Sequence, residues 1–244
     1  MVPEMKIEVW SDFVCPFCYI GKRRLEQALE KFEHKDDVEV IFKSYELQPH
    51  IQSDENVSVY EVLARKMGTT VEQAKAMNDQ LVETAKTVGL EYNFDEVKQT
   101  NTLEAHRLFK YAEKQGKGLE FTERLMRAYF TESLFLGRPD TLIELAEEVG
   151  LDGEEAEEVL VGDDFLEDVR NDQREAQQIG VQGVPFFVFN RKYAISGAQP
   201  PELFQETLEK VWQEENETPS LQQIQTSADA ACTDDSCEVT DDNN

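Results

Sequence analysis

The segments of this chain that favour β-strands lie at its two ends, and a helical pattern of more than one hundred residues separates them. Residues 6–10 and 38–44 alternate apolar and polar side chains, with helical spacing between them, which predicts a strand–helix–strand unit with parallel strands. Residues 184–189 and 193–196 predict a hairpin, followed by a final helix over 200–213. We expect both ends to form one sheet, with the helices between them as an insertion.

This pattern divides the chain into four segments. Residues 1–50 supply the first half of the α/β unit, 51–180 the inserted helical domain, and 181–213 the second half. Residues 214–244 form an acidic C-terminal tail with nine acidic residues and neither Lys nor Arg. We predict that this tail is disordered, because it cannot bury enough apolar surface to offset the entropy lost on ordering.

The charge of the chain restricts its partners. It carries 51 acidic and 24 basic residues, a formal net charge of −27, which repels nucleic acid and anionic lipid. No apolar run reaches the ~20 residues that span a bilayer, and no secretory signal is visible at the N-terminus. We therefore expect a cytoplasmic protein with neither nucleic-acid nor membrane partners, and the sequence does not indicate an oligomeric state.

Two cysteines, Cys15 and Cys18, follow the first predicted strand and open the first predicted helix. Unpaired backbone amides at a helix N-terminus stabilise a thiolate, which favours Cys15 as a nucleophile. Pro16 suits the first helical turn, where its missing N–H costs nothing. Cys18 lies one turn further on, so it can resolve a mixed disulfide formed at Cys15. The arrangement predicts a redox-active pair.

Other roles for these cysteines stay open. A structural disulfide is disfavoured in a reducing cytosol, and two inert core cysteines would rarely share a strand-to-helix junction. A zinc site formed with Cys232 and Cys237 has acceptable ligand spacing. A redox-sensing adaptor that works through the tail is a further alternative. The strand–turn–helix context favours redox chemistry over zinc, and the three scattered histidines predict no metal site.

Four stretches of the chain carry a resemblance to known proteins: VWSDFVCPFCYIGKRRLE, TNTLEAHRLFKYA, AYFTESLFLGRPDTLIELAEEVGLD and GVQGVPFFVFNRKYAISGAQPPELF. They resemble the DsbA-like thioredoxin superfamily and, within it, the FrnE-type cytoplasmic proteins, and the resemblance covers about residues 6–212. It implies an α/β thioredoxin fold (βαβ…ββα) with a large all-helical domain inserted between its halves. It also implies thiol–disulfide oxidoreductase activity on protein or small-molecule disulfides and thiols, without a bound cofactor and with glutathione as a candidate co-substrate.

The resemblance also implies roles for residues outside the cysteine pair. Pro185 would be a cis-proline that opens the strand facing the cysteines, and with Val184 it would shape the groove for substrate. The helix that carries Asn101 and His106 would lie beside the active cleft. From the residues alone, Asn101 is better interpreted as a helix cap and His106 as a packed or surface histidine.

Two further implications concern the reaction and the tail. The same branch is similar to 2-hydroxychromene-2-carboxylate isomerases and kappa-class glutathione transferases, so a glutathione-dependent isomerase or transferase is the alternative enzyme. Those relatives lack the paired cysteines, which favours the redox reaction here. Some FrnE-type proteins carry a C-terminal CxxxxC like that of Cys232 and Cys237, which makes this pair a candidate auxiliary dithiol. Two idle cysteines or a weak metal clip are the alternatives.

Overall fold

A computed structural model describes residues 5–216 of the chain. Its elements are β1 (Met5–Ser11), α1 (Pro16–Lys31), β2 (Val38–Ser44), β3 (Asp54–Ser58), α2 (Val59–Met67), α3 (Val71–Lys86), β4 (Lys98–Gln99), α4 (Leu103–Lys114), α5 (Gly118–Phe130), α6 (Pro139–Glu148), α7 (Gly153–Val161), α8 (Leu166–Gln178), β5 (Phe186–Phe189), β6 (Tyr193–Ser196) and α9 (Pro201–Asn216). Among residues 5–216, no helix is long and apolar enough to cross a membrane.

The two ends of the chain meet in one four-stranded sheet of order β2–β1–β5–β6. β1 and β2 are parallel, with Val9 opposite Phe42, while β5 pairs antiparallel with β1 and places Phe187 opposite Val9. β6 returns antiparallel to β5 through a turn at Asn190 and Arg191, which both have positive φ. This topology confirms the thioredoxin fold expected from the positions of the strand-forming segments.

Helices α1 and α9 pack against each other and against the sheet. Their buried side chains include Ile20 and Leu25 of α1 and Phe204 and Leu208 of α9. This packing fixes the N-terminus of α1 at the end of β1, which is where the cysteine pair begins.

The final helix extends to Asn216, three residues beyond its predicted end, so residues 214–216 of the predicted tail are helical. Two contacts with the β5–β6 turn explain the extension. The Tyr193 hydroxyl donates to Glu214 Oε1 at 2.6 Å, and Lys192 Nζ lies 2.7 Å from Glu215 Oε1. The rest of the predicted tail, residues 217–244, lies outside the described residues.

The insertion between β2 and β5 is helical except for one small sheet, so the expectation of an all-helical domain is wrong in this part. β3 and β4 pair antiparallel, with Asp54 opposite Gln99. Both strands are short and polar and show no apolar alternation, so the sequence gives no period-2 signal there. The pair brings the chain before α2 and the chain after α3 together, since the Val59 N–H also donates to the Val97 carbonyl at 3.0 Å.

Helices α2 and α3 form a hairpin that packs on itself and against β3 and β4. Each begins with a capping box, Ser58 with Glu61 in α2 and Thr70 with Gln73 in α3. α2 ends at Gly68, whose φ of 63° is the left-handed conformation that glycine adopts at low cost. The two helices therefore begin at capped residues, and the hairpin lies beside the cysteine pair.

Candidate active site around Cys15 and Cys18

The turn between β1 and α1 positions the cysteine pair. Cys15 is the N-cap of α1 with an extended backbone, and Pro16 occupies the first helical position. The Cys15 N–H donates to the Asp12 carbonyl at 3.1 Å, and the Cys18 N–H donates to the Cys15 carbonyl at 3.0 Å. The two cysteines thus lie on the first turn of α1, where unpaired backbone amides favour negative charge.

Both cysteines are free thiols in this structure, and both are largely buried, with 4% of Cys15 and 1% of Cys18 exposed. Burial raises the pKa of the Cys18 thiol well above its ordinary value, and the hydrogen bond with Cys15 acts in the same direction. Cys18 is therefore protonated and shielded at neutral pH. Cys15, unlike Cys18, lines the cavity described below.

The loop before β5 faces the cysteine pair. The Val184–Pro185 peptide bond is cis, and the Cys15 thiol donates a hydrogen bond to the Val184 carbonyl oxygen with Sγ 3.6 Å away. Pro185 is buried, and its carbonyl oxygen accepts from the Gly197 N–H at 2.8 Å. Gly21 of α1 leaves room for this loop, because a Cβ there would lie 3.0 Å from Pro185 Cγ. The structure therefore brings Val184 to Cys15, as the resemblance implied.

A cavity of about 390 Å³ opens beside Cys15, between the β1–α1 turn and the α2–α3 hairpin. Its wall is mainly apolar and includes Leu63 of α2 and Leu81 of α3, with Tyr129 of α5 on the other side. Asn78 of α3 also lines it, and its side-chain Nδ2 has no hydrogen-bond partner although the residue is only 8% exposed. The site thus combines the Cys15 thiol with a mainly apolar recess that also contains polar groups.

The two predicted site residues at the start of α4, Asn101 and His106, have different surroundings. The Asn101 side-chain amide hydrogen-bonds to the backbone at both ends: Nδ2 donates to the Ile51 carbonyl at 2.9 Å, and Oδ1 accepts from the Leu103 N–H at 3.0 Å. Its neighbour Thr102, and not Asn101, lines the cavity beside Cys15. His106 is 1% exposed and packs against Phe13, with the ring centroids 4.5 Å apart and the rings tilted by 37°. It lies behind the cysteine turn rather than in the recess.

Asp12 is a site residue that the analysis of the sequence did not single out. It is fully buried, its Oδ2 accepts from the Leu47 N–H at 2.8 Å, and its Oδ1 lies 3.4 Å from His106 Nε2. Its carbonyl also accepts the Cys15 N–H. The sequence did contain a signal for this role, since Asp12 is an acidic residue that directly follows a buried strand and precedes Cys15 by three residues. Asp12 therefore shapes the turn that presents the cysteines.

The aromatic residues near the pair separate into two groups. Phe13 and Tyr19 are core side chains, whereas Phe17, between the two cysteines, is half exposed. Phe17 also lines the cavity. It is the member of this group that a substrate can contact.

The second cysteine pair cannot be placed, since Cys232 and Cys237 lie outside the described residues. Within residues 5–216, no group of three or more His, Cys, Asp or Glu side chains is arranged to hold a metal ion. The zinc alternative therefore depends entirely on the tail cysteines.

Comparison with known proteins places this geometry in a family. The sequence profile of the DSBA-like thioredoxin domain matches residues 6–209. The uncharacterized protein YwbO of Bacillus subtilis is 31% identical over 204 residues, which are 83% of this chain and 94% of YwbO.

Solved structures agree. A probable DsbA oxidoreductase of Streptomyces coelicolor, SCO1869, aligns at a TM-score of 0.81 with 38% identity, covering 97% of this chain and 99% of that one. The cytosolic disulfide reductase DsbM of Pseudomonas aeruginosa with GSH aligns at 0.61 with 16% identity, covering 85% and 99%, a likeness of fold alone. The chain, with its cysteine pair on the first turn of α1, belongs to the DSBA-like thioredoxin domain family.

Proposed function

We propose that the protein is a thiol–disulfide oxidoreductase of the FrnE type that exchanges disulfides through Cys15 and Cys18. The observation that carries this proposal is the asymmetry of the pair: Cys15 lines the cavity at the start of α1, and Cys18 lies one turn deeper as a buried, protonated thiol. Such a pair suits one attacking sulfur and one resolving sulfur.

In the reducing direction, the Cys15 thiolate attacks one sulfur of a substrate disulfide. A Cys15–substrate disulfide forms, and the other substrate sulfur leaves as a thiolate that takes a proton. Cys18 then loses its proton and attacks Cys15 Sγ, which releases the second substrate thiol and leaves a Cys15–Cys18 disulfide. Two electrons pass from the pair to the substrate. The oxidising reaction is the reverse of these steps.

Val184 and Pro185 supply the surface opposite the cysteines in this proposal. The Val184 carbonyl already accepts from the Cys15 thiol, so it faces the position where the mixed disulfide forms. Pro185 has no N–H and cannot close the strand edge with a further hydrogen bond. An extended substrate chain can then lie along this edge. We expect Pro185→Ala to slow the release of mixed disulfides.

The proposed partners are protein or small-molecule disulfides and thiols, with glutathione as a candidate co-substrate and no bound cofactor. We place the reaction in the cytoplasm, where Cys15 and Cys18 are kept reduced between turnovers. The formal charge of −27 supports partners other than nucleic acid or membranes.

The test compares the wild-type chain with Cys15→Ser and Cys18→Ser in insulin reduction, alongside a 2-hydroxychromene-2-carboxylate isomerisation assay with glutathione. We expect insulin reduction by the wild type, none by Cys15→Ser, and no isomerisation. Insulin reduction that persists in Cys15→Ser would refute the mechanism. Isomerisation without insulin reduction would establish the alternative reaction instead.

We also propose that Cys232 and Cys237 act as an auxiliary dithiol for the active pair. Cys232 is the twentieth residue after Trp212, and a flexible chain of that length has a root-mean-square reach of roughly 25 Å. Tethering gives an effective concentration of the order of millimolar. The test is the Cys18→Ser variant, in which we expect a Cys15–Cys232 or Cys15–Cys237 disulfide to be trapped. The absence of both, with unchanged kinetics after deletion of residues 217–244, would refute the relay.

A further inference from the structure

The cavity beside Cys15 has a size and composition that the exchange reaction alone does not require. Its volume of about 390 Å³ is near the lower end of the ~300–1,000 Å³ typical of small-molecule sites. It has room for a compact group and not for a length of polypeptide. Its walls come from α2, α3, α5 and the β1–α1 turn, so it is a formed recess next to the reactive sulfur.

Asn78 makes this recess a polar as well as an apolar site. Its amide nitrogen is buried in the cavity wall and has no hydrogen-bond partner in the structure. A buried donor without a partner costs about 1–3 kcal/mol, and a ligand that brings an acceptor to it recovers that cost. The apolar side chains around it, such as Leu63 and Leu81, suit a ligand whose remaining atoms are hydrocarbon or aromatic.

The charges around the recess disfavour an ionic ligand. Asp12 is the buried acidic side chain of the lining, and Lys66, the basic side chain of the lining, is exposed. A carboxylate buried beside Asp12 would have no buried cation to pair with it, which is costly. A thiol as polar as glutathione, with two carboxylates and one ammonium group, is therefore a poor match for the interior.

We propose that this recess selects low-molecular-weight disulfides whose sulfur carries an uncharged, mainly apolar arm with one hydrogen-bond acceptor. The arm fills the cavity, its acceptor meets the Asn78 amide, and its sulfur lies at Cys15. This inference names the substrate class and rests on the proposed exchange chemistry. The reaction is RSSR plus the two thiols of Cys15 and Cys18, giving two RSH and the Cys15–Cys18 disulfide.

The test uses the disulfides of N-acetylcysteamine and N-benzoylcysteamine, which share the acylaminoethanethiol skeleton and differ only in the acyl substituent, methyl or phenyl. The full chain carries Cys232→Ser and Cys237→Ser, so that only oxidation of Cys15 and Cys18 is measured. Oxidation of the reduced pair is followed in single turnovers by rapid alkylation and mass spectrometry. We expect the benzoyl compound to react about tenfold faster than the acetyl compound and than glutathione disulfide, and tenfold corresponds to about 1.4 kcal/mol.

Two variants of the wall and one control locate the effect. Leu63→Trp, which fills the recess, is expected to remove the tenfold preference. Asn78→Leu is expected to slow the benzoyl and acetyl compounds about fivefold, because both carry the same amide carbonyl, while glutathione disulfide is unaffected. Gln80→Leu, an exposed position on the same helix, is the matched control and should change neither rate. A folding defect would instead slow the reaction with glutathione disulfide as well.

The outcomes separate the two proposals. If the acetyl compound does not oxidise the pair faster than it oxidises a free thiol, the proposed exchange function fails. If it does, but the wild type shows no preference for the benzoyl compound, only the substrate class is refuted. If Leu63→Trp slows insulin reduction as much as it slows the benzoyl compound, the recess serves protein chains and the low-molecular-weight assignment is wrong.

Discussion

Glu123 of α5 joins the inserted domain to the helix that carries the cysteines. Lys22 Nζ lies 2.5 Å from Glu123 Oε2, the Tyr19 hydroxyl donates to Glu123 Oε1 at 2.6 Å, and Arg23 also pairs with Oε1. Burial alone would raise the pKa of Glu123, but the charge of Lys22 and the hydrogen bonds from Arg23, Lys22 and Tyr19 lower it from 4.5 to about 2. The carboxylate therefore stabilises the folded state in its charged form.

The size of this contribution follows from the pKa. Lowering the pKa from 4.5 to about 2 is equivalent to about 3 kcal/mol. Because 31% of the side chain is exposed, screening by solvent reduces the stabilisation to about 1–2 kcal/mol. Since the folded-state pKa lies below the unfolded one, the stabilisation is present above pH 4.5 and is lost as the pH falls towards 2. More than half of it should be gone at about pH 3.

The perturbation is Glu123→Gln, which keeps the shape of the side chain and removes its charge. Urea denaturation at pH 7 should show a free energy of unfolding lower by about 1–2 kcal/mol, and the difference should shrink as the pH is lowered from 5 to 3. The control is Glu83→Gln. Glu83 pairs with Lys86, and the two side chains are 70% and 57% exposed, so this variant should lower the free energy of unfolding by less than about 0.5 kcal/mol. Equal losses for the two variants, or a loss at Glu123 that does not depend on pH, would refute the reasoning.

Two further predictions concern the cysteine helix. Gly21→Ala places a methyl group 3.0 Å from Pro185 Cγ and 3.1 Å from Phe187 Cζ, so the overpacking cost of about 1–3 kcal/mol should exceed the helix-propensity gain of about 1 kcal/mol. The control, Gly183→Ala, has nothing within 4 Å of the added methyl group and should be nearly neutral. Equal free energies of unfolding for the two variants in urea would contradict this packing. In a Cys15→Ser chain, Cys18 should react with iodoacetamide at pH 8 at least tenfold slower when folded than in urea, measured by mass spectrometry of its peptide, because burial raises its pKa. Equal rates in the two conditions would show that Cys18 is not shielded.

The sequence alone predicted the sheet and the place of the cysteines, because these depend on local patterns. The alternation in residues 38–44 has a period that only a strand satisfies. Cys15 falls at the start of α1 because Pro16 suits the first helical turn. Both features are determined by a few residues that are neighbours in the sequence.

Other features depend on contacts between distant segments. β3 and β4 pair although neither has an apolar alternation, since their pairing joins the chain before α2 to the chain after α3. Asn78 resembles an exposed helical residue until α2 packs beside it. The contact of Asp12 with His106 brings together a turn after β1 and a helix of the insertion. No local pattern encodes these contacts.

Phe17 shows the same limit within a helix. Its spacing to Ile20 suggests a common apolar face, yet Phe17 is half exposed and Ile20 is fully buried. Phe17 lies on the first turn of α1, and its side chain lines the cavity instead of joining the core. Helical spacing alone therefore does not decide whether Phe17 belongs to the core.

The measurement that tests the central claim most directly is the identity of the cysteine that holds substrate in a trapped intermediate. The Cys18→Ser chain, with Cys232→Ser and Cys237→Ser, is mixed with a disulfide substrate, quenched with acid and digested for mass spectrometry. The division of roles between Cys15, which lines the cavity, and Cys18, which lies deeper, predicts a stable mixed disulfide on Cys15, and none on Cys18 in the matching Cys15→Ser chain. A mixed disulfide that accumulates on Cys18 as readily as on Cys15 would contradict it.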